Sequence, residues 1–139
     1  MTIRYQFVRA WPTEAVVALY EAGGWWHESA AARAGVPALV AGSFRFLVAT
    51  DGDETVAMGR AISDGASDAY VQDVVVRPSH RGRGIGREVI ARLTAALEEA
   101  GVGWIGLVAE PGTTAFYERL GYRVLAGYVA MRRPTAEAP

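Results

Sequence analysis

Residues 69–100 decide the fold of this chain, and they read AYVQDVVVRPSHRGRGIGREVIARLTAALEEA. Residues 70–76 predict a β-strand because they are rich in aromatic and β-branched side chains, although Asp73 interrupts the apolar run. Pro78 ends the strand because it has no N–H to donate to a neighbouring strand. Beyond the glycines, apolar residues recur at steps of three and four as far as Gly101, which indicates a helix with one buried face.

A turn rich in glycine and arginine joins this strand to this helix. The first N–H groups of a helix have no partner within the helix and carry partial positive charge, and glycines let a ligand approach them closely. Arginines in the same turn add fixed positive charge. The turn therefore predicts a binding site for a pyrophosphate group. It consists of Arg81, Gly82, Arg83, Gly84, Ile85, Gly86 and Arg87.

Two common phosphate-binding motifs do not fit this turn. A mononucleotide P-loop ends in Gly-Lys-Ser/Thr, and the chain contains no lysine. A dinucleotide fingerprint reads G-x-G-x-x-G, whereas the third glycine here, Gly86, comes one position early. Nucleotide binding is therefore the less favoured interpretation of the turn.

The turn and two other segments carry a resemblance to a known family. Arg81-x-x-Gly84-x-Gly86 resembles the (Gln/Arg)-x-x-Gly-x-(Gly/Ala) signature of the GCN5-related N-acetyltransferases, the GNAT superfamily. Residues 74–78 are similar to the strand of that family that reads Leu-Ala-Val-x-Pro. Residues 116–122 resemble its Phe-Tyr-Glu-Lys-Leu-Gly-Phe segment. The resemblance extends over nearly the whole chain.

The resemblance implies acetyl-CoA as the cofactor and assigns roles to individual residues. The backbone of Val74, Val75 and Val76 would pair with the pantetheine arm, and an N–H there would polarise the thioester carbonyl. The N–H groups of residues 81–87 would hold the pyrophosphate. Tyr117 would be the general acid that protonates the departing thiolate. The family's asparagine in the loop before Tyr117 is absent, so the cofactor contacts of residues 110–112 stay open.

Asp73 is the candidate for assistance at the acceptor amine. A carboxylate in an apolar strand needs a reason, and an amine that is protonated at neutral pH must lose a proton before it attacks. Asp73 therefore assists acceptor binding or deprotonation, or else it is a carboxylate in a strand bulge bonded by its neighbours. His27 and Glu28 are further candidates for a base, whereas His80 is expected at the surface.

A cluster of aromatic residues follows the first helix. Adjacent tryptophans outside regular structure suggest an aromatic wall for an acceptor substrate, and the alternative is that they fill the core. The predicted acceptor-binding residues are Tyr20, Trp25, Trp26 and Glu28.

The chain is predicted to be a mixed α/β protein with the GNAT fold in one domain, residues 1–133, followed by a frayed tail at 134–139. We expect one mostly antiparallel sheet of about six or seven strands, with a parallel central pair that splays around the cofactor, and about four flanking helices. The last two strands are expected at 122–126 and 128–132. Short helical pieces are expected at 29–34 and 37–41.

Composition excludes several classes of function. The net charge of −1 gives no general signal for nucleic acid, and the absence of cysteine excludes disulfides and thiolate nucleophiles. The first ten residues lack the long apolar core of a signal peptide, and no apolar run is long enough to span a membrane, so a soluble cytoplasmic protein is expected. No metal is implied.

These observations predict an acetyl-CoA-dependent N-acetyltransferase. A primary amine would attack the thioester directly in a ternary complex, and a small amine or amino acid is the favoured acceptor. A protein N-terminus or lysine is the alternative acceptor. A non-catalytic acyl-CoA sensor is the alternative of another class. An exposed C-terminal strand would allow a second copy of the chain to pair with the first.

Overall fold

The computed structural model of the protein describes residues 2–135 and divides after Leu107 into two compact units. The first unit contains five strands and three helices, and the second contains one short helix. In chain order the elements are β1 (Ile3–Val8), α1 (Thr13–Ala22), α2 (Ala30–Gly42), β2 (Arg45–Asp51), β3 (Glu54–Ser63), β4 (Asp68–Val76), a 3-10 turn (Pro78–His80), α3 (Ile85–Glu99), β5 (Trp104–Gly106) and α4 (Thr114–Glu118).

One mixed sheet forms the first unit, with the strands in the order β1-β2-β3-β4-β5. The first four strands pair antiparallel, and β4 pairs parallel with β5 across the crossover that contains α3. The mixed α/β class, the antiparallel majority and the parallel pair are therefore confirmed. The sheet is smaller than the six or seven strands that the sequence suggested.

Helices cover both faces of this sheet. On one face α3 buries its apolar stripe, which includes Val89, Leu93 and Leu97, against the strands. On the other face α1 and α2 cover a second core that includes Leu19 and Phe46. Because both faces are covered, the central strands β2 and β3 are apolar along most of their length instead of alternating with polar residues.

The helix α2 is continuous, so the prediction of two short pieces at 29–34 and 37–41 is wrong. Ser29 caps its N-terminus by accepting a hydrogen bond from the Ala32 N–H at 3.0 Å. Pro37 lies inside the helix and removes one backbone bond. Burial of Val36 and Val40 in the second core holds the helix together across the proline. At α1 the N-cap position is Pro12.

The C-terminal segments at 122–126 and 128–132 are not strands, so that prediction is also wrong. Apolar side chains in these segments are exposed, at 80% for Tyr128 and 91% for Met131. Strand propensity alone does not hold a strand without a neighbour to pair with. The strand on which pairing with a second copy was expected is therefore not formed. The tail expected at 134–139 lies mostly outside the described residues.

Among residues 2–135, no helix is both long and apolar enough to cross a membrane.

Candidate active site

The strand β4 contains a bulge at Asp73. The register between β3 and β4 shifts between Met58 and Arg60, so that one residue of β3 faces two residues of β4. Asp73 has a φ of 58°, and it is the only non-glycine residue in the described chain with a left-handed backbone. Such a conformation costs about 1–3 kcal/mol, and surrounding contacts must therefore hold it.

Two side chains hold the Asp73 carboxylate. Its Oδ2 atom accepts a hydrogen bond from the Tyr20 hydroxyl at 2.8 Å and another from Arg60 Nε at 2.6 Å. The Arg60 and Asp73 side chains are only 17% and 23% exposed, so this ion pair is largely shielded from water. Burial raises the pKa of Tyr20, and the negative charge of Asp73 raises it further. The Tyr20 hydroxyl is therefore protonated and donates the bond at neutral pH.

An aromatic pocket of about 390 Å³ lies beside Tyr20, between the end of α1 and the first turns of α2. The Tyr20 ring lies 6.4 Å from the Trp25 ring and 6.2 Å from the Trp26 ring. Trp25 is 37% exposed, which places it at the rim of the pocket. The lining residues are Tyr20, Trp25, Trp26, His27, Ala31, Ala32, Gly35, Val36 and Leu39.

The structure brings together three of the four residues that the sequence suggested for acceptor binding. Glu28 is not a lining residue; it accepts hydrogen bonds from Trp26 Nε1 at 3.2 Å and from Arg33 Nε at 2.9 Å. The bond from Arg33, followed by that from Trp26, lowers the pKa of the Glu28 carboxyl. The guanidinium of Arg33 also lies 6.0 Å from the Trp26 ring centre. Glu28 thus fixes the orientation of a pocket wall.

The edge of β4 beyond Tyr70 is not covered by β5. The parallel ladder joins only three residue pairs and ends at Tyr70 and Gly106, whereas β4 continues to Val76. In this last part Val75 is buried in the core under α1 and α2, while Val74 and Val76 pack against the core under α3. Because these three side chains pack into the two cores, only backbone groups of this edge are available to bind a ligand.

The glycine turn leads directly from this strand into α3. Gly82 and Gly84 have φ values of 77° and 79°, which side-chain-bearing residues rarely adopt. Gly84 is the N-cap of α3, and the first backbone bond of the helix runs from the Glu88 N–H to the Gly84 carbonyl at 3.1 Å. The N–H groups of Ile85, Gly86 and Arg87 therefore precede the first helical bond.

The space above the turn is open. A Cβ atom on Gly82 would meet nothing within 4 Å, and one on Gly84 would meet only the Arg87 guanidinium at 3.6 Å. Arg81 anchors the turn, because its Nε donates to the Val76 carbonyl at 3.0 Å. A strand edge that β5 leaves unpaired and that leads into an open turn of N–H groups fits an extended ligand that carries a phosphate group, as acetyl-CoA does.

His80 is buried beneath this turn, so the expectation of a surface histidine is wrong. It is 8% exposed, and its Nε2 lies 2.9 Å from Asp51 Oδ2. Its Nδ1 lies 2.8 Å from the Ser79 hydroxyl. The bond to Asp51 attaches the residues before the glycine turn to the β2–β3 hairpin, which stabilises the start of the turn.

Tyr117 lies on α4 in the second unit. Its ring makes edge contacts with Phe116 at 5.1 Å and with Tyr122 at 6.2 Å. Burial raises the pKa of its phenol, and the charges of Glu110 and Tyr122 raise it further. The phenol therefore stays protonated at neutral pH, as a general acid must.

A C-terminal capping motif positions Tyr117 within this unit. The Tyr122 N–H donates to the Tyr117 carbonyl at 3.1 Å, and the Gly121 N–H donates to the Glu118 carbonyl at 3.0 Å. Gly121 has a φ of 93°, which completes a Schellman motif. The ring contact between Tyr117 and Tyr122 is the apolar contact that this motif commonly contains. Residues 110–112 form a turn closed by the Thr113 hydroxyl, which donates to the Glu110 carbonyl at 2.6 Å.

Sequence reasoning missed Arg60 and the α2 side of the pocket. Arg60 is a charged residue in an otherwise apolar strand, as Asp73 is in the next strand, and this complementary pair is a usable signal. The α2 residues were missed because Gly35 and Pro37 suggested that the helix was broken.

Comparisons with known proteins agree with this geometry. The acetyltransferase (GNAT) domain family matches residues 42–124, which is more than half of the chain. Serotonin N-acetyltransferase 2 from rice chloroplasts is 51% identical over 67 residues, which span 48% of this chain and 34% of that protein. The match thus covers about a third of the length of the rice relative.

Solved structures share the fold. A GNAT-family acetyltransferase from Streptococcus pneumoniae superposes with a TM-score of 0.78 at 25% identity, covering 98% of this chain and 100% of that one. AAC(6′)-Iy in complex with a CoA-linked acetylneamine bisubstrate analogue superposes with a TM-score of 0.76 at 14% identity, covering 97% and 100%. The family match, together with the parallel strand pair and the glycine turn, shows that this chain belongs to the GNAT acetyltransferase family.

Proposed function

We propose that this chain transfers an acetyl group from acetyl-CoA to a primary amine by direct attack in a ternary complex. The observation that carries the proposal is the edge of β4 beyond Tyr70, which leads into the open glycine turn at the start of α3. Acetyl-CoA, when bound, supplies the thioester that is attacked.

The backbone of the first unit holds the cofactor in this proposal. Val74, Val75 and Val76 offer N–H and carbonyl groups to the pantetheine arm, and the Val74 N–H polarises the thioester carbonyl. The N–H groups of residues 81–87 bind the pyrophosphate at the start of α3. Arg87, whose guanidinium lies above the turn, adds charge attraction.

Tyr117 is the general acid in this proposal. Its raised pKa keeps the phenol protonated at the pH at which the reaction runs. The phenol gives its proton to the coenzyme sulfur as the bond between that sulfur and the acetyl group breaks. Asp73 assists acceptor binding or deprotonation in this proposal.

The favoured acceptor is a small amine with an apolar or aromatic body. The pocket offers two indole rings, a phenol ring and small aliphatic side chains, and the Tyr20 hydroxyl and the Trp26 N–H are already bonded to carboxylates. Such a lining supports an aromatic amine over a polyhydroxylated amino sugar, which needs many polar partners. The name of the rice relative refers to an aromatic amine of this class.

Two measurements test the proposal. The first is a thermal melt with acetyl-CoA, with NAD and ATP as controls; a ligand at a hundred times its Kd adds about 2.7 kcal/mol, which raises the Tm of a domain of this size by several degrees. The second is thiol release from acetyl-CoA with tryptamine, glucosamine and a lysine-containing peptide as acceptors.

A Tm shift with acetyl-CoA and the fastest release with tryptamine are expected. Fastest release with the peptide would move the acceptor class to proteins. Binding of acetyl-CoA without transfer to any amine would favour the acyl-CoA sensor, and a larger shift with a nucleotide would overturn the proposal.

A further inference from the structure

We propose that Arg60 and Tyr20 are positioning residues that hold the β4 bulge in its left-handed conformation through Asp73, and we name these three residues the bulge clamp. The catalytic consequence rests on the proposed acetyl transfer. The positioning itself concerns only the backbone, and it is tested independently of activity.

The clamp acts on a backbone that does not keep its conformation by itself. Asp73 has a φ of 58°, which residues with a Cβ atom rarely adopt and which contacts of the side chain must therefore favour. Its carboxylate receives two donors on one atom, Oδ2, from different elements of the fold. Tyr20 approaches from α1 and Arg60 from β3. Two donors from separate directions fix the carboxylate, and the carboxylate fixes the backbone from which it extends.

The opposite face of the bulge is held by apolar packing. Gly59 lies across from the bulge on β3, and a Cβ atom placed there would meet Val89 at 2.7 Å and Val74 at 3.2 Å. The helix α3 thus presses directly against the bulge at this point. The bulge lies between an apolar contact on the α3 face and a polar clamp on the α1 face.

The clamp also joins two parts of the proposed site. Val74, whose N–H is proposed to polarise the thioester, is the residue directly after Asp73. Tyr20 has its ring in the lining of the aromatic pocket and its hydroxyl on Asp73. Loss of Arg60 or of the Tyr20 hydroxyl therefore changes the direction of the Val74 N–H, and neither of these two residues is assigned a proton-transfer step in the proposed reaction.

The first experiment replaces Arg60 by methionine, which keeps an unbranched stem as far as the position of Nε and removes the ion pair. We expect Arg60→Met to lower kcat about tenfold, to change the Kd of acetyl-CoA less than about twofold, and to accelerate amide hydrogen exchange over residues 72–76. Arg92→Met is the matched control, because Arg92 Nε donates to Glu88 at 2.8 Å on the exposed surface of α3. It is expected to leave kcat and this exchange unchanged.

The second experiment uses glycine, the residue that adopts a left-handed backbone most freely. In an Asp73→Gly background the bulge no longer needs the clamp, so adding Arg60→Met should change kcat less than about twofold. An equal loss of kcat in the wild-type and Asp73→Gly backgrounds would mean that Arg60 does not act through Asp73. Unchanged amide exchange over residues 72–76 in Arg60→Met would overturn the proposal that the clamp holds the bulge.

Tyr20→Phe removes only one hydroxyl and serves if Arg60→Met does not fold. It should raise the same exchange to a smaller degree, and unchanged exchange there would also overturn the proposal. If the wild-type chain transfers acetyl to no amine, the proposed function fails, while the exchange data still decide whether the clamp exists.

Discussion

The Tyr20 hydroxyl donates a hydrogen bond of 2.8 Å to Oδ2 of Asp73, and this bond joins α1 to the bulge of β4 across 53 residues of sequence. Tyr20 is only 7% exposed, and its ring is part of the aromatic pocket. One side chain therefore belongs both to the surface that would receive the acceptor and to the support of the strand that would receive the cofactor.

Removing that hydroxyl should cost stability and acceptor recognition together. Tyr20→Phe keeps the ring but leaves Asp73 with one donor fewer, and a net loss of about 1 kcal/mol in the free energy of unfolding is expected. The acceptor KM should rise several-fold because the pocket wall loses its fixed orientation. Urea unfolding and initial rates measure the two effects. Tyr70→Phe, at an exposed tyrosine, is the control and should change neither.

The stability of the protein should fall at alkaline pH partly because of Tyr20. Burial and the charge of Asp73 raise its pKa in the folded state, whereas in the unfolded chain it is about 10. The contribution of Tyr20 to the free energy of unfolding is complete below that value. It is lost as the pH rises towards the folded pKa, because the unfolded state releases its proton first. Unfolding curves between pH 9 and 11 measure the slope. If Tyr20→Phe has the same slope as the wild type, the buried phenol is not its source.

Replacing the general acid should affect turnover without affecting cofactor binding. Tyr117→Phe removes the proton donor, and general acid catalysis typically contributes a factor of about a hundred or more to kcat. The Kd of acetyl-CoA should stay within about twofold of the wild type, since the ring remains. Tyr128→Phe, at a residue that is 80% exposed, is the control. Weakened acetyl-CoA binding with normal turnover would reverse the assignment of Tyr117.

The glycine turn should be sensitive to a single methyl group. Gly84→Ala places a Cβ atom on a residue with a φ of 79°, which costs about 1 kcal/mol or more and distorts the start of α3. The Tm shift with acetyl-CoA should be reduced or absent. Gly42→Ala is the matched control, because a Cβ atom there meets nothing within 4 Å and the backbone is not left-handed. An undiminished shift in Gly84→Ala would show that the turn does not hold the phosphates.

The central segment could be predicted from sequence because its signals are local. The valines of β4, the glycines of the turn and the three- and four-residue spacing in α3 all lie within 32 residues, and neighbouring residues suffice to interpret them. Asp73 was singled out because a carboxylate in an apolar strand is unusual. Its partners Tyr20 and Arg60 lie on other elements, so only the folded chain identifies them.

The predictions that were wrong concern segments whose structure depends on distant parts of the chain. Pro37 and Gly35 predict a break in α2, and burial against the sheet overrides that local preference. Residues 122–132 have the composition of strands, yet a strand needs a partner that composition does not specify. Whether Tyr117 and Asp73 perform the proposed chemistry depends on the assembled site and on kinetics, so both roles stay predictions.

The capping motif after α4 has a consequence for how this chain can diversify. The carbonyl of Tyr117 and the ring of Tyr122 are fixed by contacts among residues 113–122, a segment that orders itself through Gly121. The local geometry of the proposed acid, Tyr117, is therefore determined by one short stretch of sequence. Substitutions in the lining of the aromatic pocket leave that stretch unaltered. Acceptor preference can therefore change during evolution while Tyr117 keeps its local geometry.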